Sequence, residues 1–512
     1  MSFELEIFSA EENAAQLDAD FVEWLIDERS EENHRKYNKL WQYYANSTME
    51  TDCLSGADRR ASESGRCYIQ AQEFGLPARI TGLARSVKAG LFGGVPVKDV
   101  QRKEVVIEND IGWRINAAVD FLFGKMISFA SKAADAQRRT EIESLIKGMV
   151  AANGGIGFFQ DMAVLGSVYG FVDCIVRPGE QLLTHISNPS KALSFEDALR
   201  AAKAIELELI EAPRALPVLD ETNYRQILYY VQHFYQNKNA VSRRSSFLSR
   251  LLSPNRRGAA ARDSVEVTEI TSPNAWQRYE DRRLVAEGNM PWDFLPMVHI
   301  QNIAQPYFYE GISDVEHLIP LQDELNTRLS DRANRITFQS FKMYLGKGID
   351  GFENRPVAPG RMWCTDNPDA AIEEFGGDAA TPSEDLHIAE IREAMDKISG
   401  VTPVVAGVLK NKLGNLTSAV ALRLTLMGML SKTDRKRFTY GQGISSIVAM
   451  ALEMLDRTGI YKTAQAEREV EVIFPNPLPD NMTDRLKEAQ IKKELGVPAE
   501  QVLKELGYEL KS

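Results

Sequence analysis

The sequence predicts an α+β chain that is mainly helical, and three observations carry that prediction. Residues 321–345, 382–399 and 416–457 repeat their apolar positions every three or four residues, the period of an amphipathic helix. Short runs rich in β-branched and aromatic residues cluster instead between 104 and 302, where they read as strands. The length, 512 residues, corresponds to three or four ordinary folding units. An apolar fraction of 44% and a charged fraction of 26% are those of a globular chain, which excludes wholesale disorder and a collagen-like fibre.

Taken in order, Asp20–Ile26 and Tyr37–Tyr44 place apolar groups at helical spacing, while 51–103 is rich in Gly, Ser and Pro and has little period. Glu104–Ile107 reads as a short strand, Ile111–Lys132 as a long amphipathic helix, and Arg139–Ala152 as another helix. Gly154-Gly155-Ile156-Gly157 reads as a turn, because Phe158-Phe159-Gln160 behind it offers no phosphate cradle. Asp161–Arg177 mixes helix and strand character, with Val172–Val176 the better strand. Glu206–Ile210, Tyr224–Phe234, Ser264–Ile270 and 297–302 are further strands. Between them, Arg243–Arg262 holds six Arg, four Ser and no acid, which reads as a surface loop or as a phosphate contact.

From Gly311 the texture becomes helical. Ser313 with Glu316 has the form of a capping box, and Pro320 requires a kink or a restart. Leu325, Leu329, Ala333 and Ile336 share one stripe of a helix over Leu321–Leu345. Residues 346–381 form a compact Gly- and Pro-rich insert of net charge −4, with strand candidates at 361–365 and 372–375. Thr381-Pro382-Ser383-Glu384 supplies an N-cap, a Pro at N1 and a Glu at N3 for a helix that Gly400 ends. Val401–Asn415 is an aperiodic loop. A second long helical region, Leu416–Arg457, has Gly428, Gly441 and Gly443 as expected bends. Glu469–Ile473 reads as a strand that the prolines of 474–480 stop, and two helices, 481–495 and 498–506, close the chain.

The sequence offers little catalytic chemistry. Its net charge of −12 and pI of about 5.3 do not suit tight wrapping of nucleic acid, which needs clustered Lys and Arg. The four cysteines, Cys53, Cys67, Cys174 and Cys364, form no C-x-x-C pair, so reduced thiols are expected. No secretory leader, no run long enough to span a membrane, no P-loop, no G-x-S-x-G elbow and no H-E-x-x-H pair is present. No catalytic residue, metal ligand or cofactor is therefore expected, although a metal-dependent nuclease stands as the enzymatic alternative. Glu316, Asp323 and Glu324 lie on different sides of a helix and read as a solvated face. Arg328, Arg332 and Arg335 face one way; they pair with Glu324 and Asp331 on the same helix or with acids of a neighbouring subunit. Lys432, Arg435, Lys436 and Arg437 form the densest helical basic cluster, a structural interface or a nucleic-acid contact.

Several segments, in order, resemble the portal proteins of tailed bacteriophages. Gly-x-Ser-Asp at 311–314 leads into a helix carrying Leu329-Ser330-Asp331-x-Ala333-Asn334. Ile391–Thr402 is similar to the family's helix ending in a Gly-Val-Pro turn, and Gly414–Leu422 to its Gly-Asn-x-Ser-Gly-x-Ala-Leu segment, with Ala419 in the second Gly position. Lys432–Phe438 resembles the basic stretch that follows, Leu122-Phe123-Gly124-Lys125 the early Phe-Gly pair, and Phe474–Leu495 the family's C-terminal end. The resemblance spans about 100–510; residues 1–100 and the Arg-rich segment stand outside it.

The resemblance implies a ring, usually of twelve subunits, at one capsid vertex, through which double-stranded DNA is packaged and ejected. It implies a wing at 1–312, a stem helix at 313–345, a clip at 346–381, a second stem helix at 382–400 and a tunnel loop at 401–415. The tunnel helix and crown helices follow at 416–460, and the C-terminal strand and further crown helices at 461–512. Implied partners are terminase, a head-completion or adaptor protein and a major capsid or scaffold protein, with no membrane; the implied location is the virion, after assembly in the bacterial cytoplasm. Within that plan Lys410, Asn411, Lys412 and Asn415 are the candidate channel lining, against the plainer reading of solvated lysines, and Leu325, Arg328, Leu329, Arg332 and Arg335 the candidate subunit interface. A ring of such acidic chains favours sliding of DNA over sticking. Another structural protein of the virion is the remaining alternative.

Overall fold

The computed structural model describes residues 19–46, 106–179, 194–237, 264–340, 343–347, 367–375, 382–406, 423–478 and 482–499, with a few short or isolated positions besides. The Arg-rich segment, the strand expected at 361–365, most of the 346–381 insert and the 407–422 part of the loop region lie outside the described residues.

The chain opens with α1 (Ala19–Trp24), a π-turn at Leu25–Arg29 and α2 (Ser30–Ala45), which Asn46 ends in the left-handed conformation at φ 47°. After the short pair β1 (Thr48–Met49) and β2 (Ile69–Gln70) comes α3 (Asp110–Phe123), capped by the Asn109 side chain, which accepts from the Gly112 amide. The helix expected through Lys132 stops at Phe123. Residues 128–131 are instead β3 (Ser128–Ser131), paired antiparallel with the strand near the C-terminus, so the apolar run continues on a different period. The strand expected at 104–107 is not one where it is described: Val106 exchanges two hydrogen bonds with the Ser330 hydroxyl rather than with a strand.

α4 (Ala136–Ala152) and α5 (Ile156–Tyr169) meet at the Gly154-Gly155 turn, where φ values of 99° and 62° favour glycine. β4 (Phe171–Arg177) follows directly and is buried on both faces, central in a three-stranded antiparallel sheet ordered β11-β4-β5. β5 spans Glu206–Ile210, after α6 (Phe195–Lys203) with its Ser194–Asp197 capping box, and β11 spans Met297–Gln301. Between them a five-stranded antiparallel meander runs through β6 (Ala215–Leu219), β7 (Ile227–Asn237), β8 (Ser264–Thr271), β9 (Ala275–Glu280) and β10 (Arg283–Asn289). β7 starts three residues later than the sequence suggests, because Asp220 and Asn223 fold the preceding residues into turns. The β9–β10 hairpin turns on Asp281 and Arg282, both at positive φ, the backbone of a type I′ turn made without glycine. Leu25, Ile26 and Val22 cover one face of this meander with Leu216, Val231, Ile270 and Tyr279 in a separate small core.

Pro320 marks a restart rather than a kink: a 3-10 turn at Glu316–Leu318 precedes α7 (Ile319–Ser340), with Pro320 in its first turn. The expected helix to Leu345 is shorter at its end, where Met343–Lys347 forms β12 and pairs in register with β13 (Ala371–Phe375). α8 (Pro382–Ser399) returns beside α7, and Gly400 at φ 70° ends it. α9 (Met427–Arg457) is continuous; its glycines are not bends. A Cβ at Gly443 would collide with the Ile300 side chain of β11, and one at Gly441 would lie 3.3 Å from the Phe474 ring. Glycine here permits close approach. β14 (Val470–Ile473) pairs with β3, and α10 (Met482–Glu494) follows; of the last expected helix only isolated positions are described.

α3, α5, α9 and β4 share the main core with α7 and α8. Phe123 stacks on Phe159 at 5.6 Å and meets Tyr440 edge-on at 6.0 Å, which joins three helices in one aromatic cluster. None of the described helices is long and apolar enough to cross a membrane.

Candidate functional site

The residues where the loop region 401–415 leaves the body are held by two cations, one buried and one half-buried. Arg114 on α3 is 2% exposed, and its guanidinium donates to Asp396 Oδ1 (2.6 Å), the Val401 carbonyl (2.7 Å) and the Ser399 hydroxyl (3.2 Å). One guanidinium nitrogen, Nη1, thus fixes the last turn of α8 and the first residue after Gly400. From the other side Lys432 on α9 donates to the Ser399 carbonyl at 2.8 Å. Val401 and Met429 pack with Ala118 beneath this root.

Lys432 also belongs to a second cluster. Its ammonium lies 2.7 Å from Asp314 Oδ1, and Lys436, one helical turn along, lies 2.5 Å from Asp314 Oδ2. Lys436 donates to the Ser167 hydroxyl at 2.8 Å as well. Asn302 donates to Asp314 Oδ2 at 3.1 Å and accepts from the Tyr440 hydroxyl at 3.1 Å. The Asp314 amide donates to the Ser167 carbonyl at 2.9 Å. Burial alone would raise the Asp314 pKa; the two lysine ammoniums overcome it and hold the carboxyl well below the usual carboxylate range. Burial pushes the Lys436 ammonium down, against the attraction of Asp314. The cluster ties the end of α5, the residue after β11, the approach to α7 and the first half of α9 to one point.

The basic stretch expected to be an interface or a nucleic-acid contact is therefore divided. Lys432 and Lys436 are committed to the interior, Arg437 donates to the Pro475 carbonyl at 2.7 Å, and Arg435 is exposed.

α7 and α8 pack with Leu325, Leu329, Ile388, Ile391 and Met395 between them and the body. Leu325 (0% exposed) and Leu329 (6%), expected at a subunit interface, are buried within this chain, while Ile336 farther along the same stripe is 39% exposed. Of the arginine row, Arg328 pairs with Glu324 (2.7 Å) and Asp331 (3.4 Å) on its own helix, as the plainer expectation had it. Arg332 and Arg335 reach across to Asp385 (2.6 Å) and to Glu384 on α8. Asp323, counted with a solvated face, accepts from the Tyr43 hydroxyl at 2.8 Å, and Glu324 binds Arg328. Lys410, Asn411, Lys412 and Asn415 lie outside the described residues.

Sequence reasoning missed Arg114 and Asn302. A lone Arg in an amphipathic helix resembles any solvated charge, and the partners it donates to lie more than 280 residues away, with only Asp110 near it in sequence. Asp314 was visible only as part of a helix-start pattern; what marked it was that Ser313-Asp314 comes before, not within, the amphipathic run.

These elements are a scaffold of packed helices around an anchored loop root. The model described as "Phage portal protein, SPP1 Gp6-like" matches residues 199–507. The chain belongs to this family of phage portal proteins. Among solved structures it is similar to a chain from the "Virion of native gene transfer agent (GTA) particle", at 12% identity and a TM-score of 0.40, covering 78% of this chain and 90% of that one. No curated protein matches the chain.

Proposed function

We propose that this chain is the repeating subunit of a portal ring at one vertex of a tailed-phage capsid, a passage for double-stranded DNA during packaging and ejection. The observation that carries this reading is the family match over 199–507, which takes in α7, α8, the insert between them and the whole of α9. Residues 1–312 are the wing, α7 and α8 the stem pair, 346–381 the clip that docks terminase and then the head-completion protein, and 401–415 the tunnel loop. The tunnel helix and crown helices occupy 416–460, with further crown helices to 512. The capsid or scaffold protein is the partner on the wing. The chemistry is mechanical rather than catalytic. A long α9 packed on the body and a loop clamped at its root by Arg114 and Lys432 suit a rigid rim carrying a projecting loop.

In this reading Lys410, Asn411, Lys412 and Asn415 meet DNA, and Arg328, Arg332 and Arg335 line the subunit boundary next to the α8 acids that they already bind. Purified protein imaged in negative stain is expected to form rings with a central hole, about twelve-fold. Monomers or shell fragments overturn the proposal. In rings, Lys410→Glu with Lys412→Glu is expected to slow packaging most at low salt, where the added repulsion is least screened. Unchanged packaging at low salt removes this loop from the channel.

A further inference from the structure

The loop that follows β11 has an unusual construction. Gln301 Nε2 donates to the carbonyls of Phe308 (2.9 Å) and Tyr309 (3.0 Å), and the Ile312 amide closes the loop on the Ile303 carbonyl at 3.0 Å. Tyr309 turns inward: its hydroxyl donates to the fully buried Asp173 at 2.9 Å, and its ring stacks on His299 at 3.8 Å. Tyr307 and Phe308 turn outward and are 84% and 54% exposed. Tyr307 sits at φ 68°, a conformation a bulky residue adopts only under constraint. Beside it Tyr224 meets the Tyr307 ring at 6.1 Å, and the Arg225 guanidinium lies over Tyr224 and bonds its hydroxyl at 3.0 Å. The result is a fixed knob of three aromatic rings and an arginine, the residue types that dominate protein contacts.

The opposite side of α9 carries a hollow. A shallow, open groove runs between α9 and β14, lined by Asp434, Arg437, Phe438, Gly441, Gln442 and Phe474 among others. Gly441 leaves it open, Phe438 is 66% exposed in it, and the Asp434 carboxylate is 72% exposed with Arg437 at 3.5 Å. Thr439 and Gly443 of the same helix face the β11 side: Thr439 donates to the Asn302 carbonyl at 3.3 Å, and Gly443 abuts Ile300. At about 100° per residue, Asp434, Gly441 and Ser445 therefore point away from the β11 loop, with Gln442 at the rim of the groove. The groove and the β11 end that carries the knob loop thus lie on opposite sides of α9.

We infer that the Tyr307–Phe308 knob of one subunit docks in the α9–β14 groove of a second copy of this chain, with Arg225 meeting the second copy's Asp434. The inference rests on the ring reading and specifies its contact. Aromatic knob matches aromatic-lined groove, and cation matches exposed carboxylate. A contact between two unlike faces is head-to-tail, the kind that closes into rings. The strain at Tyr307 is then part of the contact, because it holds the ring out before docking and lowers the ordering cost.

The test uses the full chain. Subunits carrying Pro306→Cys and Gln442→Cys together, which keep Tyr307, Phe308 and Arg225, are expected to give ladders of cross-linked multimers on oxidation, while each single variant, which controls for the native cysteines, gives none. Tyr307→Gly is expected to raise the melting temperature of the subunit, since glycine accepts that φ without strain, and to lower ring yield by about tenfold or more. Arg225→Glu and Asp434→Lys are each expected to reduce ring yield, and together to restore it. Rings without any 306–442 cross-link, a cross-link confined within one chain, or charge reversals that do not rescue each other overturn this inference and leave the ring reading standing. A wild-type chain that never forms rings removes both.

Discussion

Two regions of the molecule hold helices together with charge, and they do so by opposite means. At Asp314 the carboxylate and Lys436 are sealed from water, at 4% and 2% exposure, and the partners come from α5, the residue after β11 and α9. Between α7 and α8 the charges lie at the surface: Arg332 and Asp385 are 33% and 60% exposed, and the apolar layer of Leu325, Leu329, Ile391 and Met395 lies beneath them. Surface ion pairs contribute little because water and salt screen both members. Buried ones exact a large desolvation cost, so their weight shows only when one partner is removed. The difference teaches that the charged row visible in the sequence is the less important one for the fold.

The strongest way to break this comparison is at Asp314. Asp314→Ala strands Lys436 in the core and is expected to cost about 3–5 kcal/mol, read as a lower urea midpoint. Asp314→Leu with Lys436→Met is expected to recover much of that loss, since an apolar pair of similar volume needs no solvation. An Asp314→Ala chain as stable as the parent would refute the structural role of the cluster.

Leu325→Ala comes next. It is expected to cost about 2–5 kcal/mol through the cavity it leaves, independent of salt. A loss under about 1 kcal/mol would show that the ion pairs, not the apolar layer, hold α7 against α8.

Acid sharpens the contrast further. The Asp314 pKa is depressed in the folded chain, so its contribution is present above the unfolded value of about 3.9 and is lost as pH falls through the lower folded value. Stability measured below about pH 4 is expected to fall less steeply in Asp314→Asn than in the parent, from a lower starting point. Parallel slopes would remove Asp314 from the acid limb.

The smallest effect belongs to the surface row. Arg332→Ala is expected to change stability by about 0–1 kcal/mol, with the difference from the parent vanishing at about 1 M salt. A salt-resistant loss of several kcal/mol would equate the two regions after all.

How far the sequence could be read follows the same line between local and distant causes. α8 declares itself because its cap, its apolar stripe and Gly400 are all within about twenty residues, and β4, β5, β8, β11 and β14 stand out as short β-branched runs. The β9–β10 hairpin escaped because its turn is Asp281-Arg282 and not a glycine pair, and because β10 has only Leu284, Val285 and Ala286 as apolar residues, side by side rather than alternating. β3 was absorbed into a helix because four residues, Ser128–Ser131, carry no period without their partner strand. The family could be recognised from the order of weak motifs. The Asp314 cluster could not, since Ser167, Asn302, Asp314 and Lys436 have no shared spacing.

The β3–β14 ladder has a consequence in time. Ser131 waits for Val470, about 340 residues later, and a ribosome adding about 5–20 residues per second needs roughly 17–70 s to supply it. Throughout that interval each nascent chain carries β3 as an open edge with unpaired amides and carbonyls, a template for another strand. In a cell making many copies on one message, the slow step that separates a usable subunit from an aggregate is therefore the arrival of four residues near the end of the chain.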